Sequence, residues 1–195
     1  MLHGRGTNED DLLGLAEYLD PRFLIVGARA PFPFEFGGFA WYQISDIGTP
    51  DAGQFEESYD RLSKFVQDVK AGYPVDPGRI FLLGFSMGSI MSLALSLSKP
   101  GLFNGVVAHS GYVPENASLK FRWDELAGLG VFVAHGIDDP VIPIEFGRRT
   151  RDLLTKSPAD LTYREYPIGH TISEESLADF SSWLRKRLEV SADMK

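Results

Sequence analysis

Residues 80–88 read Ile80-Phe81-Leu82-Leu83-Gly84-Phe85-Ser86-Met87-Gly88. The apolar run before Gly84 reads as a buried strand, and apolar residues recur at helical spacing from Met87 to about Ser98. Strand, Gly-x-Ser-x-Gly, helix is the arrangement of a nucleophile elbow. Such a turn is too tight for side chains beside the serine, so glycine stands on both sides. Ser86 Oγ is then held above the sheet, with amides of the next helix directed toward it. Those amides and the helix dipole favour the negative charge that an acyl-transfer intermediate develops. The bare pentapeptide also fits a glycine-rich turn without chemistry, but the strand before and helix after favour the elbow.

Strands and helices alternate on both sides of this stretch. Thr7-Asn8-Glu9-Asp10 is expected to cap a helix with Leu12, Leu13, Leu15, Ala16 and Leu19 on its apolar face, stopped by Asp20-Pro21. Residues 23–26 read as a buried strand, and residues 30–50 as a long loop rich in Pro, Gly and aromatics. Phe55, Tyr59, Leu62, Phe65, Val66 and Val69 predict a helix over about 54–71. Further strands are expected at 105–108, 131–134 and 161–166, and a helical turn around 124–127. Helices are expected over about 144–156 and from about 173, the latter presenting Leu177, Phe180, Leu184 and Leu188. Residues from Ser191 are expected to fray. The alternation predicts an α/β fold with a mainly parallel sheet flanked by helices.

A chain of 195 residues, 44% hydrophobic and 24% charged, suits one domain with a sizeable core. Residues 112–130 are too few for a separate lid domain. The net charge of −8 and the absence of a basic stripe exclude nucleic acid as a partner. There is no cysteine, which removes disulfides and a thiolate nucleophile and fits a reducing compartment. No apolar run approaches a membrane span, and Met1-Leu2-His3-Gly4 opens no signal-peptide pattern. The expectation is a cytoplasmic monomer or homodimer. Neither HExxH nor a Walker loop is present, so no metal or cofactor is expected.

Ligands of open α/β sheets gather at the carboxyl ends of strands, and the chemistry-bearing residues here sit at such ends. A serine needs a base, and four histidines are available, at positions 3, 109, 135 and 170. His170 follows a strand and a glycine and precedes the last helix, so its ring can reach from a short loop. His3 and His135 each precede glycine and read as pins of turns, while His109 closes a strand either in the core or against a pocket. The base needs an orienting carboxylate. Asp138 and Asp139 are both candidates, and Asp139, restricted by Pro140, is the better held. Ser86, Asp139 and His170 are thus the expected catalytic residues, in the chain order Ser, Asp, His of α/β-hydrolases. The backbone amides of Met87 and Arg5 are the expected oxyanion donors. Phe32, Phe34, Phe36, Phe39, Trp41 and Tyr42 crowd one loop without clear periodicity. They either pack over the core or wall an acyl pocket, and Phe34, Phe36, Phe39, Trp41 and His109 are the candidate substrate contacts.

With these residues in place, the chain resembles the small carboxylesterases of the phospholipase/carboxylesterase and acyl-protein thioesterase family. The matching motifs are Leu2-His3-Gly4-Arg5-Gly6 with Asn8-Glu9-Asp10-Asp11-Leu12, then Ala30-Pro31 through Ala40-Trp41-Tyr42. They continue with Gly84-Phe85-Ser86-Met87-Gly88, His135-Gly136 with Asp139-Pro140-Val141-Ile142-Pro143, and Gly169-His170. The resemblance implies an α/β-hydrolase fold, no cofactor, and hydrolysis of small-molecule carboxylic esters or thioesters through an acyl-serine. Met87 departs from the glutamine common after the nucleophile, a change that leaves the backbone donor in place. A second departure lies before His3, where the family carries strands and this chain has only Met1 and Leu2. Three expectations follow: the start is truncated, or the sheet lacks an inner strand, or another segment or subunit supplies it. The rival expectation from another class is a ligand-binding or interaction protein on a hydrolase scaffold.

Overall fold

The computed structural model describes residues 1–190, so the fraying expected from Ser191 lies outside the described residues. The first regular element is a 3-10 helix, Leu13–Tyr18, in place of the α-helix expected from the leucines. It lacks a side-chain cap and contains Gly14, and six residues are too few to offset helix nucleation. The segment expected as a loop folds into two short hairpins, β1 (Phe32–Pro33) with β2 (Phe39–Ala40), and β3 (Ile44–Asp46) with β4 (Thr49–Pro50).

Helix α1 (Ala52–Gly72) begins where the Asp51 carboxylate accepts the Gln54 amide at 2.8 Å. Its buried Phe55, Tyr59, Leu62 and Val66 keep the spacing read from the sequence. Then follow β5 (Phe81–Phe85), α2 (Met87–Ser98), β6 (Gly105–His109) and β7 (Gly130–Gly136). The chain continues through α3 (Ile144–Leu154), β8 (Asp160–Tyr166) and α4 (Glu174–Val190). Between β6 and β7 the expected helical turn is a 3-10 turn, Trp123–Glu125.

Strands β5-β6-β7-β8 form a parallel sheet in that order, with Leu82, Val106, Val131 and Leu161 in one row. Alternation sends Leu82, Val106 and Val131 into the cluster built with α1 and α2. Leu83, Val107 and Phe132 face the opposite way, onto Phe180 and Leu184 of α4. Helix α2 carries no charge and is buried from Met87 to Leu97, as a helix covered on all sides must be.

The strand expected at 23–26 does not form. A strand exists by pairing, and the place beside this segment is filled at one end only. Leu2 lies there, making parallel bridges to Gly84 and Ala28. Its amide donates to the Leu83 carbonyl at 2.8 Å, its carbonyl accepts the Phe85 amide at 3.1 Å, and the Met1 ammonium donates to the Val26 carbonyl at 2.7 Å. The described sheet is thus the four strands β5 to β8, with Leu2 bridged to the free edge of β5. At the carboxyl edge, Ser86 follows β5, Asp139 lies three residues past β7, and His170 four past β8.

Candidate active site

Ser86 has φ 54° and ψ −120°, a left-handed conformation that a non-glycine residue holds only under constraint from its surroundings. The constraint is visible in its neighbours. A Cβ on Gly84 would lie 2.4 Å from the Gly88 carbonyl oxygen, and one on Gly88 would lie 2.1 Å from that of Leu2. The flanking glycines let strand, helix and opening segment meet at the serine. The Ser86 amide donates to the His109 carbonyl at 2.9 Å, and the Ser86 carbonyl accepts the Ser89 and Ile90 amides at 3.0 and 3.2 Å.

Asp139 and His170 arrive on two different loops. Asp139 is buried, and its Oδ1 accepts the Val141 and Ile142 amides at 2.8 and 2.9 Å. Its Oδ2 lies 2.7 Å from His170 Nδ1, and His170 Nε2 lies 2.9 Å from Ser86 Oγ. The partners assign the tautomer: Nδ1–H donates to the carboxylate, and Nε2 is left to accept from the hydroxyl. Burial raises the Asp139 pKa, but bonds from the Ile142 amide, the His170 ring and the Val141 amide outweigh it and hold the carboxyl below its ordinary value. Asp138 is exposed, and its backbone rather than its carboxylate is tied to this region, donating to the Ile168 carbonyl at 3.1 Å. The loop is held by His135, whose Nε2–H donates to the Ile142 carbonyl at 2.8 Å.

The opening loop closes the other side. His3 Nε2 accepts the Ala30 amide at 3.0 Å, so Nδ1 carries the proton and donates to the Gly4 carbonyl at 2.7 Å. Burial keeps this ring below its ordinary pKa, suiting a neutral pin of the loop. Gly4 packs against the nucleophile, since a Cβ there would stand 3.4 Å from Ser86 Cβ. Arg5 and Met87 both line the cavity at Ser86. Neither of their amides donates to another group among the described residues.

The cavity measures about 260 Å³ and is walled by Tyr42, Ile44, Ile47, Ile90, Tyr112 and Ile142. The Tyr112 hydroxyl accepts the Gly48 amide at 2.9 Å, tying the β3–β4 hairpin over the pocket. The five side chains expected to contact substrate are not among those that line this cavity. Phe34 lies under the Arg5 guanidinium, Phe36 is 83% exposed, and Phe39 lies under Arg29. Trp41 is buried, donating from Nε1 to the His3 carbonyl at 2.9 Å. His109 is fully buried between Ser110 and Ser176, each 3.0 Å away. Burial foremost, then the nearby His135 and His170, pushes its pKa down to about 3. Tyr42 stood among the aromatics that could wall a pocket, but Ile44, Ile47, Ile90, Tyr112 and Ile142 went unselected because an apolar residue carries no mark of which way it faces. Their one signal was position: Tyr112 follows β6 at the carboxyl edge, and Ile142 shares the Asp139 loop. Among the described residues, no cluster of three or more potential ligands could hold a metal ion, and no helix is long and apolar enough to cross a membrane.

Comparison with known proteins gives the same frame. A probable carboxylesterase of Arabidopsis thaliana, SOBER1-like, is 29% identical over 98% of this chain and 79% of its own length. Acyl-protein thioesterase 1 of Mycosarcoma maydis is 32% identical over 95% of this chain and 88% of its own. Among solved structures, the Bacillus cereus carboxylesterase superposes with a TM-score of 0.86 at 25% identity, covering 95% of this chain and 86% of that one. The fold is that of the α/β-hydrolases. The phospholipase/carboxylesterase profile matches residues 1–188, and the chain belongs to that family.

Proposed function

We propose that the chain is a serine hydrolase that cleaves carboxylic esters, thioesters included, with small to medium acyl chains, and that Ser86, Asp139 and His170 are its catalytic residues. The observation that carries this reading is the hydrogen-bonded line from Ser86 Oγ through His170 to Asp139, at 2.9 and 2.7 Å. Ser86 Oγ attacks the ester carbonyl as His170 Nε2 takes its proton. Asp139 holds the ring and stabilises the imidazolium. The amides of Met87 and Arg5 receive the oxyanion, each such donor lowering the barrier by about 3 kcal/mol. The tetrahedral intermediate collapses, the carbonyl-to-leaving-group bond breaks, and His170 returns the proton to the departing alkoxide or thiolate. Water then attacks the acyl-serine by the same proton path, releasing the acid and restoring Ser86.

The cavity of about 260 Å³ suits short acyl groups, and its isoleucine walls suit apolar ones. No cofactor or metal takes part in this scheme. The cysteine-free composition supports a cytoplasmic setting, with the chain acting as a monomer or homodimer. An activated nitrophenyl ester series tests the reading. Rapid mixing is expected to give a burst of about one nitrophenol per chain, and Ser86→Ala is expected to lose turnover by at least about 10⁴-fold. Full turnover in Ser86→Ala would rule out the assignment.

A further inference from the structure

Tyr42 and Tyr112 both line the Ser86 cavity, and their hydroxyls share one hydrogen bond. Each ring is fixed from behind. Tyr42 packs on Phe55 and Tyr112 on Phe146, with ring centroids 5.0 Å apart in both pairs. The backbone is fixed as well. Gly111, just before Tyr112, packs against the elbow, since a Cβ there would lie 3.0 Å from the Ser86 carbonyl oxygen. The Val113 amide donates to Thr150 Oγ1 at 3.0 Å, and Trp41, just before Tyr42, is held on the His3 carbonyl. The pair carries two hydroxyl protons, and a single bond between the oxygens uses one of them. The Gly48 amide brings a further donor to the Tyr112 oxygen, at 2.9 Å, and no acceptor. One phenolic proton is therefore left without an acceptor among the described residues. No other hydroxyl on the cavity has a proton to spare. That of Ser86 donates to His170, and that of Thr7 donates to the Gly4 carbonyl at 3.1 Å. Arg5 and Asp11 also line the cavity, at exposed positions. Burial raises the pKa of both phenols, so each remains protonated through the neutral range.

We propose, on the hydrolase reading of Ser86, that this proton sets the substrate class: it donates to an acceptor oxygen within the acyl chain. The pocket then prefers acyl groups with an ether or ketone oxygen a few atoms from the ester carbonyl over plain alkyl ones. Ile44, Ile47, Ile90 and Ile142 take the alkyl part of such a chain. A plain alkyl chain fills the same space but leaves the phenolic proton unpaired where no solvent reaches it, and an unpaired donor carries its full desolvation penalty. The Phe55, Phe146 and Gly48 contacts hold the donor still, so it reaches one position along the chain rather than any.

The probes are nitrophenyl esters of equal chain length: pentanoyl, ethoxyacetyl and 3-methoxypropanoyl. They differ only in whether, and where, an oxygen replaces a methylene. Each kcat/KM is divided by the rate constant for hydroxide hydrolysis of the same ester, which removes the activation that the oxygen itself supplies. On that scale one ether ester is expected to exceed pentanoyl about 3- to 10-fold, the worth of one neutral hydrogen bond, and the other to fall well short of it. In the double variant Tyr42→Phe/Tyr112→Phe the preference is expected to vanish, whereas mere loosening of the hairpin would lower all three esters alike. Equal corrected rates in the unaltered chain would overturn the proposal, and so would both ethers favoured equally, since the donor is fixed. These two outcomes are decided without the variant. A preference that survives the double variant would overturn it too. Turnover of the pentanoyl ester without any ether preference leaves the hydrolase reading standing, and no turnover of any ester would remove both.

Discussion

Asp139 makes the division of labour at the site concrete. One carboxylate oxygen is spent on its own loop, at the Val141 and Ile142 amides, and the other on His170. Removing its charge while keeping its shape separates the two tasks. Asp139→Asn is expected to lower kcat by about 10⁴-fold with little change in KM, because the amide cannot hold the productive tautomer. An unchanged kcat would remove Asp139 from the chemistry. His109 has a different signature. Its folded pKa near 3 lies below the ordinary 6.5, so the unfolded chain binds a proton in that window that the folded chain does not. Stability therefore rises with pH between about 3 and 6.5, by up to about 1.4 kcal/mol per pH unit from this group. The lowered values of His3 and His135 act in the same direction. The thermal midpoint is expected to fall on acidification from pH 7 to 4, and His109→Asn is expected to flatten that fall. Equal slopes in the two proteins would contradict it.

At the scale of elements, the elbow joins three pieces of chain at one point. Gly88→Ala would drive a methyl into the Leu2 carbonyl, and no flexible side chain is there to yield. It is expected to destabilise the fold by about 1–3 kcal/mol and to lower activity further than that loss explains, since the Arg5 loop is displaced from Ser86. A variant with wild-type kcat and midpoint would show that Leu2 and α2 are not in this contact. The same elements show what the sequence could reveal. Helix α1, the strands β5 to β8 and α4 were legible within a few residues, because apolar periodicity reports burial of one face or two. Residues 23–26 have the composition of a strand but no neighbour to pair with, and composition is blind to that. The leucines near Leu13 suggested an α-helix, and the shortness of the segment and Gly14 left a 3-10 helix.

For the whole molecule, the sheet sets the geometry and the loops at its carboxyl edge set the chemistry. Ser86, Asp139 and His170 could be singled out because each stands at a strand end beside a residue with a strong backbone preference, glycine or proline. The pocket wall was legible only at Tyr42: aromatic density drew attention to its loop, but nothing in the sequence marked Ile44 and Ile47 as facing the cavity. Filling that wall tests the assignment. Ile47→Trp is expected to cut kcat/KM for hexanoyl esters at least tenfold more than for acetyl esters, and equal losses would place the acyl chain elsewhere. The central claim is that one serine carries the acyl group. Intact mass spectrometry with peptide mapping, after acid quenching within the burst, tests it most directly. One acyl group on Ser86, absent from His170→Ala, is the expected result; product formed with no acylated chain, or with the acyl group on another residue, would contradict it.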